Sequence, residues 1–313
     1  MPIFRIHHIT KYEYDRPVKE SVNAIKIYPY QCPEQEILQH DLLITGHPDV
    51  QTFTDYWGNK TGEFNILSPH KALTIESKLL VRTIAPTQLQ INFHSGFEEL
   101  RQEMDNQLKM LELARPDMIN TQGAVNNIQT VICQPGKSIA AVAEHCSEYI
   151  FKHFKYIKGI TNIETTVDEI LLHRAGVCQD FAHLMLHILR SAGIPCRYVS
   201  GYICPNKDGM RGEGATHAWV EVYIPGYGWA GIDPTNNVWV TNKHVKLSVG
   251  RHFRDCSPVK GSFKGPARQT LSVYVAVAYE DGNTFEELNN VDMHKENADD
   301  TPDVEDGTFA GQQ

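Results

Sequence analysis

Seven cysteines punctuate the chain, at positions 32, 133, 146, 178, 196, 204 and 256, and no two share the paired spacing of a zinc or dithiol site. Most cysteines of this kind act as small buried hydrophobes. Cys178 is set apart by its neighbours. In Gly176-Val177-Cys178-Gln179-Asp180-Phe181 it follows a glycine and opens an apolar run at helical spacing, Phe181, Ala182, Leu184, Met185, Ile188 and Leu189, which Gly193 stops. A cysteine on the first turn of a helix meets N–H groups that lack an intrahelical acceptor and the positive end of the helix dipole. Both favour the thiolate, the form that attacks a carbonyl carbon, and the same N–H groups can donate to the oxyanion that forms. Taken alone, the segment fits a packed thiol equally well.

His217 and Asp233 alter that balance. His217 opens the run His217-Ala218-Trp219-Val220-Glu221-Val222-Tyr223, whose period of two puts His217, Trp219, Glu221 and Tyr223 on one face of a strand and Ala218, Val220 and Val222 on the other. The polar face must look at something other than a plain core. A histidine at the rim of a sheet, after a loop carrying Gly209, Gly212 and Gly214 that can move or admit substrate, suits a general base for a thiol. Asp233 ends the next strand, Trp229-Ala230-Gly231-Ile232-Asp233, which the turn Pro225-Gly226-Tyr227-Gly228 folds back onto the first. A carboxylate there can accept the second imidazole N–H and favour the imidazolium. Singly, each is an ordinary histidine or Asp-Pro turn; jointly they make a nucleophile, a base and an orienting acid.

The elements that must position these groups follow from pattern. Residues 4–14, 24–29, 36–45, 51–56, 63–67 and 72–84 alternate or carry β-branched and aromatic residues, separated by turn chemistry such as Asp15-Arg16-Pro17, Gly46-His47-Pro48-Asp49 and Trp57-Gly58-Asn59. An all-β N-terminal domain over 1–95 is expected. Helical spacing then takes over, with Leu100, Met104, Leu108 and Leu111, and later Ile139, Val142, Ala143, Cys146, Ile150 and Phe151. Residues 96–160 read as a helical connection and the start of a core, and 161–280 as the core itself, helix first and antiparallel sheet after, an α+β order that ends in a strand at 269–279. The formal charge of -9 lies wholly in 281–313, where ten acids face Lys295 alone, and this aromatic-poor segment reads as a disordered acidic tail. The remainder is formally neutral and offers no basic patch to nucleic acid. No apolar run approaches the roughly 18 residues of a membrane span, and the start shows no leader pattern. A cytoplasmic protein with free thiols is the expectation.

The quoted segments, together with Gly193-Ile194-Pro195-Cys196-Arg197-Tyr198-Val199-Ser200-Gly201-Tyr202 and Asp233-Pro234-Thr235, closely resemble the bacterial transglutaminase-like superfamily. Asp55-Tyr56-Trp57-Gly58-Asn59 and Ser68-Pro69-His70 resemble the β-rich N-terminal domain of one bacterial branch, and Gly250-Arg251-His252-Phe253-Arg254-Asp255-Cys256-Ser257-Pro258 its segment after the triad. The resemblance spans nearly the whole chain except the tail. It implies a papain-like core in which Cys178 is the nucleophile, His217 the general base and Asp233 the orienter. It also brings in Tyr156 as an oxyanion aromatic, against the alternative of a packed tyrosine. Gln179 joins the candidates as the residue after the nucleophile, and Trp219 either lines the acyl-donor channel or belongs to the core. Asp180 reads as a helix cap, and the pair His183 and His187 lacks the neighbouring acid of a metal site. No metal and no other cofactor is expected, since no phosphate loop or dinucleotide fingerprint appears. The implied activity is acyl-enzyme chemistry on a peptide or protein amide, ended by water in a cysteine peptidase or amidase, or by an amine in a transglutaminase. A binding module that keeps the fold without turnover is the reading from another class.

Overall fold

The computed structural model describes residues 1–84, 91, 93–204, 210–212 and 216–280, with the backbone of three short strands, Thr284–Phe285, Met293–His294 and Asp306–Ala310. Apart from those strands, the expected disordered tail lies outside the described residues, as do Gly209 and Gly214. The first long strand, Ile3–Val18, buries every second side chain from Phe4 to Tyr14, including Ile6 and Tyr12. It pairs antiparallel with His70–Thr83 on one side and with Gln269–Tyr279 on the other. Gln35–Ile44 extends this sheet. A second sheet runs Asp306–Ala310, Val259–Lys264, Glu20–Ile25, Lys60–Ile66 and Gln51–Thr54. One apolar cluster containing Phe4, Ile25, Phe64, Leu73, Val259 and Val277 joins residues of both sheets.

Two features of this module depart from the sequence pattern. Asp15-Arg16-Pro17 does not separate strands but lies inside Ile3–Val18, where the register with His70–Thr83 shifts between Glu13 and Val18. A bulge tolerates a proline with no N–H to give to the ladder. And 259–279, which the sequence pattern assigns to the end of the core, is hydrogen-bonded to N-terminal strands in both sheets rather than to the sheet of His217.

That core sheet has the order Val238–Trp239, Gly228–Asp233, Thr216–Ile224, Cys196–Ile203, His244–Gly250, antiparallel throughout. The helix Cys178–Ser191 packs on its central strands, burying Phe181, Ala182, Leu184, Met185, Ile188 and Leu189 as the spacing requires, and Ile139–His153 packs against that helix and the sheet. A short parallel pair, Lys155–Tyr156 with Ala175–Gly176, brings Tyr156 level with Gly176, two residues before the nucleophile candidate. Among the described residues no helix is long and apolar enough to cross a membrane.

Candidate active site

Cys178 is the first residue of its helix and is 6% exposed. The helix start is built by Asp180, whose Oδ2 accepts from the Val177 N–H at 2.7 Å and from the Thr161 hydroxyl at 2.6 Å, the capping part expected of it. Burial raises the Asp180 pKa, against the pull of these two donors. Gly176 is required by space: a Cβ there would lie 2.6 Å from Asp180 Oδ2. Burial pushes the thiols of the other six cysteines up, Cys196 to about 11 and Cys32 to about 12.

His217 lies near the start of Thr216–Ile224 and Asp233 at the end of the adjoining Gly228–Asp233. Both side chains are wholly buried, and His217 Nε2 is 2.8 Å from Asp233 Oδ2. Asp233 also accepts from the Asn236 amide at 2.7 Å through Oδ2 and from the Thr235 N–H at 2.9 Å through Oδ1. Burial, the largest single influence on each, disfavours charge on both groups, but the charges and hydrogen bonds around them together outweigh it. The His217 pKa is pushed up to about 10, by Asp233 first and then by the neighbouring Cys178, and that of Asp233 is held well below the carboxylate range. With Nε2 engaged, Nδ1 is the imidazole atom left for Cys178, and it has no other hydrogen-bond partner.

The polar face of the His217 strand looks at a stack and an ion cluster. Trp219, fully buried, lies nearly parallel to the His217 ring with centroids 6.4 Å apart. Its ring occupies the space that a side chain at Gly201 would need, 2.5 Å from that Cβ position. Farther along, Glu221 accepts from Arg197 at 2.6 Å and pairs with Lys246. Burial alone would raise the Glu221 pKa; the two cations hold it down at about 2. These contacts leave the strand little freedom to shift His217.

The remaining candidates are placed as follows. Tyr156 packs edge-on against Phe181, and burial, followed by the charges of Cys178 and Asp233, raises its pKa well above the usual phenol value, so its hydroxyl stays a proton donor. Gln179 is buried on the first helical turn. His183 accepts the Phe253 N–H, burial lowering its pKa to about 3, and His187 bonds Gln122, so both serve packing.

Two neighbours of Asp233 are absent from the sequence reading. Asn236 is one. The other is His244, fully buried with Nε2 3.5 Å from Asp233 Oδ2, its pKa lowered by burial against the opposing pull of that carboxylate. His217, Asp233 and His244 form the three-donor cluster among the described residues, with donor atoms within 4.8 Å of one another. A dication held there would take the place of the His217–Asp233 hydrogen bond. Asn236 lies three residues past Asp233, where it reads as an ordinary turn residue, and His244 reaches the site only through the pairing of His244–Gly250 with Cys196–Ile203.

This geometry meets known proteins at several points. The model of the bacterial transglutaminase-like N-terminal region matches residues 4–82, and that of the transglutaminase-like superfamily matches 127–234. An uncharacterized protein of Mycobacterium leprae is 32% identical over 284 residues, 87% of this chain and 97% of that protein. A protein-glutamine gamma-glutamyltransferase of Pseudomonas aeruginosa is 40% identical over 111 residues, 34% of this chain and 16% of that protein. Among solved structures, a Cytophaga hutchinsonii protein provisionally described as a cysteine protease shares the fold, with a TM-score of 0.71 over 93% of this chain and 96% of that one at 21% identity. The chain belongs to the transglutaminase-like superfamily and carries the bacterial transglutaminase-like N-terminal region.

Proposed function

We infer that the protein is a cysteine hydrolase of amide or peptide bonds that works through an acyl-enzyme on Cys178. The observation that carries this reading is the buried His217–Asp233 pair beside the thiol at the start of the Cys178–Ser191 helix. In this reading the Cys178 thiolate attacks the carbonyl carbon and the C=O electron pair moves onto oxygen. The backbone N–H of Cys178 and the Tyr156 hydroxyl donate to that oxyanion. His217, protonated and oriented by Asp233, gives its Nδ1 proton to the leaving nitrogen as the C–N bond breaks, leaving a thioester. A water then loses a proton to Nδ1 and attacks the thioester, which releases the carboxylic acid and returns the thiolate.

Water as acceptor is supported by the likeness of nearly the whole chain to the solved Cytophaga hutchinsonii structure provisionally described as a cysteine protease. Acyl transfer to an amine is the second reading, favoured by the local identity to a protein-glutamine gamma-glutamyltransferase. A set of free thiols suits a reducing compartment, and a cytoplasmic location completes the proposal. A glutamine peptide offered with and without a primary amine, and followed by mass spectrometry, separates the two. Hydrolysis products with no amine adduct are expected, and loss by at least about a thousandfold in Cys178→Ala. An adduct formed in preference to the acid would overturn the hydrolytic reading.

A further inference from the structure

Asn236 follows Asp233-Pro234-Thr235, where an asparagine is ordinarily a turn residue. The turn does not explain its contacts. The Thr235 N–H already closes onto Asp233 Oδ1, and the left-handed backbone of this stretch falls on Asn237, at φ 53°. Asn236 instead uses both ends of its amide. Nδ2 donates to Asp233 Oδ2 at 2.7 Å and to the Arg211 carbonyl at 3.2 Å, while Oδ1 accepts the Arg211 N–H at 2.7 Å. One side chain thus bridges the acid that orients His217 and the backbone of a segment 25 residues away.

That segment covers the site. Gly212, at φ 79°, lies so close that a Cβ on it would be 2.9 Å from His217 Nδ1 and 3.9 Å from the Tyr156 hydroxyl. Nδ1 is the nitrogen facing the thiol, so the backbone of 211–212 bounds the space in which an acyl donor must meet Cys178. Arg211 adds to the hold: its guanidinium lies 4.5 Å above the Phe151 ring and its Nη1 reaches the Thr235 carbonyl at 3.5 Å. His217 and Asp233 are fully buried beneath.

We propose that Asn236 is a positioning residue with two tasks: it aims Asp233 at His217, and it holds 211–212 against the thiol–imidazole pair, so that it limits the bulk of the acyl donor reaching Cys178. The second task rests on Cys178 being the nucleophile, but its test needs no turnover. Cys178 in the full chain is alkylated at pH 7 by iodoacetamide and by a fluorescein-bearing iodoacetamide, the modified site being identified by peptide mapping with Cys178→Ser as the blank. The readout is the ratio of the bulky to the small reagent's rate.

In Asn236→Ala the ratio is expected to rise about tenfold, as two hydrogen bonds to residue 211 are lost. In Asn236→Asp, which keeps an acceptor for the Arg211 N–H but replaces the donor to Asp233, the ratio is expected to stay near that of the wild type while the pH dependence of alkylation by iodoacetamide shifts. Gly212→Ala, which must lift the segment off Nδ1, provides an independent variant should Asn236→Ala not fold, and is expected to raise the ratio as well. Ratios within about twofold of the wild type in the folded members of this pair, or an unmoved pH profile in Asn236→Asp, would overturn the proposal. If the ratio rises and no amide is hydrolysed, the proposal about Asn236 stands and the hydrolase reading falls.

Discussion

Asp233 and His217 hold opposite charges where water is excluded, and this sets how the site answers pH. Because the folded His217 pKa is raised from 6.5 to about 10, its protonation favours the folded state. That contribution is full below about pH 6.5 and is lost as pH rises through about 10. Asp233, depressed from 3.8, contributes above about pH 3.8 and loses its share as pH falls. In Asp233→Asn the largest cause holding the proton on His217 disappears while burial continues to expel it. The alkaline limb of the kcat profile should therefore move to lower pH, and kcat should fall by about 10²–10⁴-fold. The urea midpoint of the variant should also lose less between pH 6.5 and 10 than that of the wild type. A pH–rate series read beside urea melts checks both; an alkaline limb that stays in place would show that Asp233 does not govern the imidazole.

The helix start is the element on which the proposed nucleophile depends, and its fit is steric as much as electrostatic. A methyl group at Gly176 would sit 2.6 Å from Asp180 Oδ2 and 2.7 Å from its Cβ, so Asp180 would have to release Val177 or Thr161. Gly176→Ala should cost about 1–3 kcal/mol, the usual range for overpacking, and should slow alkylation of Cys178, read by denaturant melts and labelling at neutral pH. An unchanged labelling rate would mean the cap does not set the thiol. This element was legible in the sequence because its signals are local: a glycine, a capping acid three positions from Val177, and apolar residues at helical spacing. The strand pair of His217 and Asp233 was legible for the same reason, through period-two alternation and a glycine turn of four residues. Asn236 and His244 were not. Their contacts cross to residue 211 and to the register of Cys196–Ile203, which no run of adjacent residues encodes. Pro17 was misleading in the opposite way, since a local turn signal was absorbed by a bulge in a long strand.

At the scale of the whole molecule, the chain returns to its beginning. Val259–Lys264 pairs with Glu20–Ile25, and Gln269–Tyr279 pairs with Ile3–Val18, so each N-terminal sheet contains a strand from beyond the core sheet. Val259, Phe263, Leu271, Val273, Val275 and Val277 enter the same apolar cluster as Phe4, Ile6 and Tyr12, and so do Tyr202, Val245 and Leu247 of the core sheet. Polar contacts make the same join. Asn59 exchanges two hydrogen bonds of 2.8 Å with the backbone of Val249, and His8 Nδ1 meets the Tyr202 hydroxyl at 2.8 Å. A fragment of residues 1–95 would thus expose the long edge of Ile3–Val18 and lack six of the apolar side chains that cover it. Each buried side chain of that size contributes about 1.5–3 kcal/mol, so the total missing is comparable to the 5–15 kcal/mol that stabilises a typical domain. The fragment alone should show no cooperative thermal transition, and adding a peptide of residues 258–280 should restore one, with far-UV circular dichroism as the readout. The full chain should unfold in a single step seen alike by Trp219 fluorescence in a single-tryptophan variant and by far-UV circular dichroism. Two separated transitions, or a 1–95 fragment that melts cooperatively by itself, would show that the N-terminal module is an independent domain and that the returning strands merely lie against it.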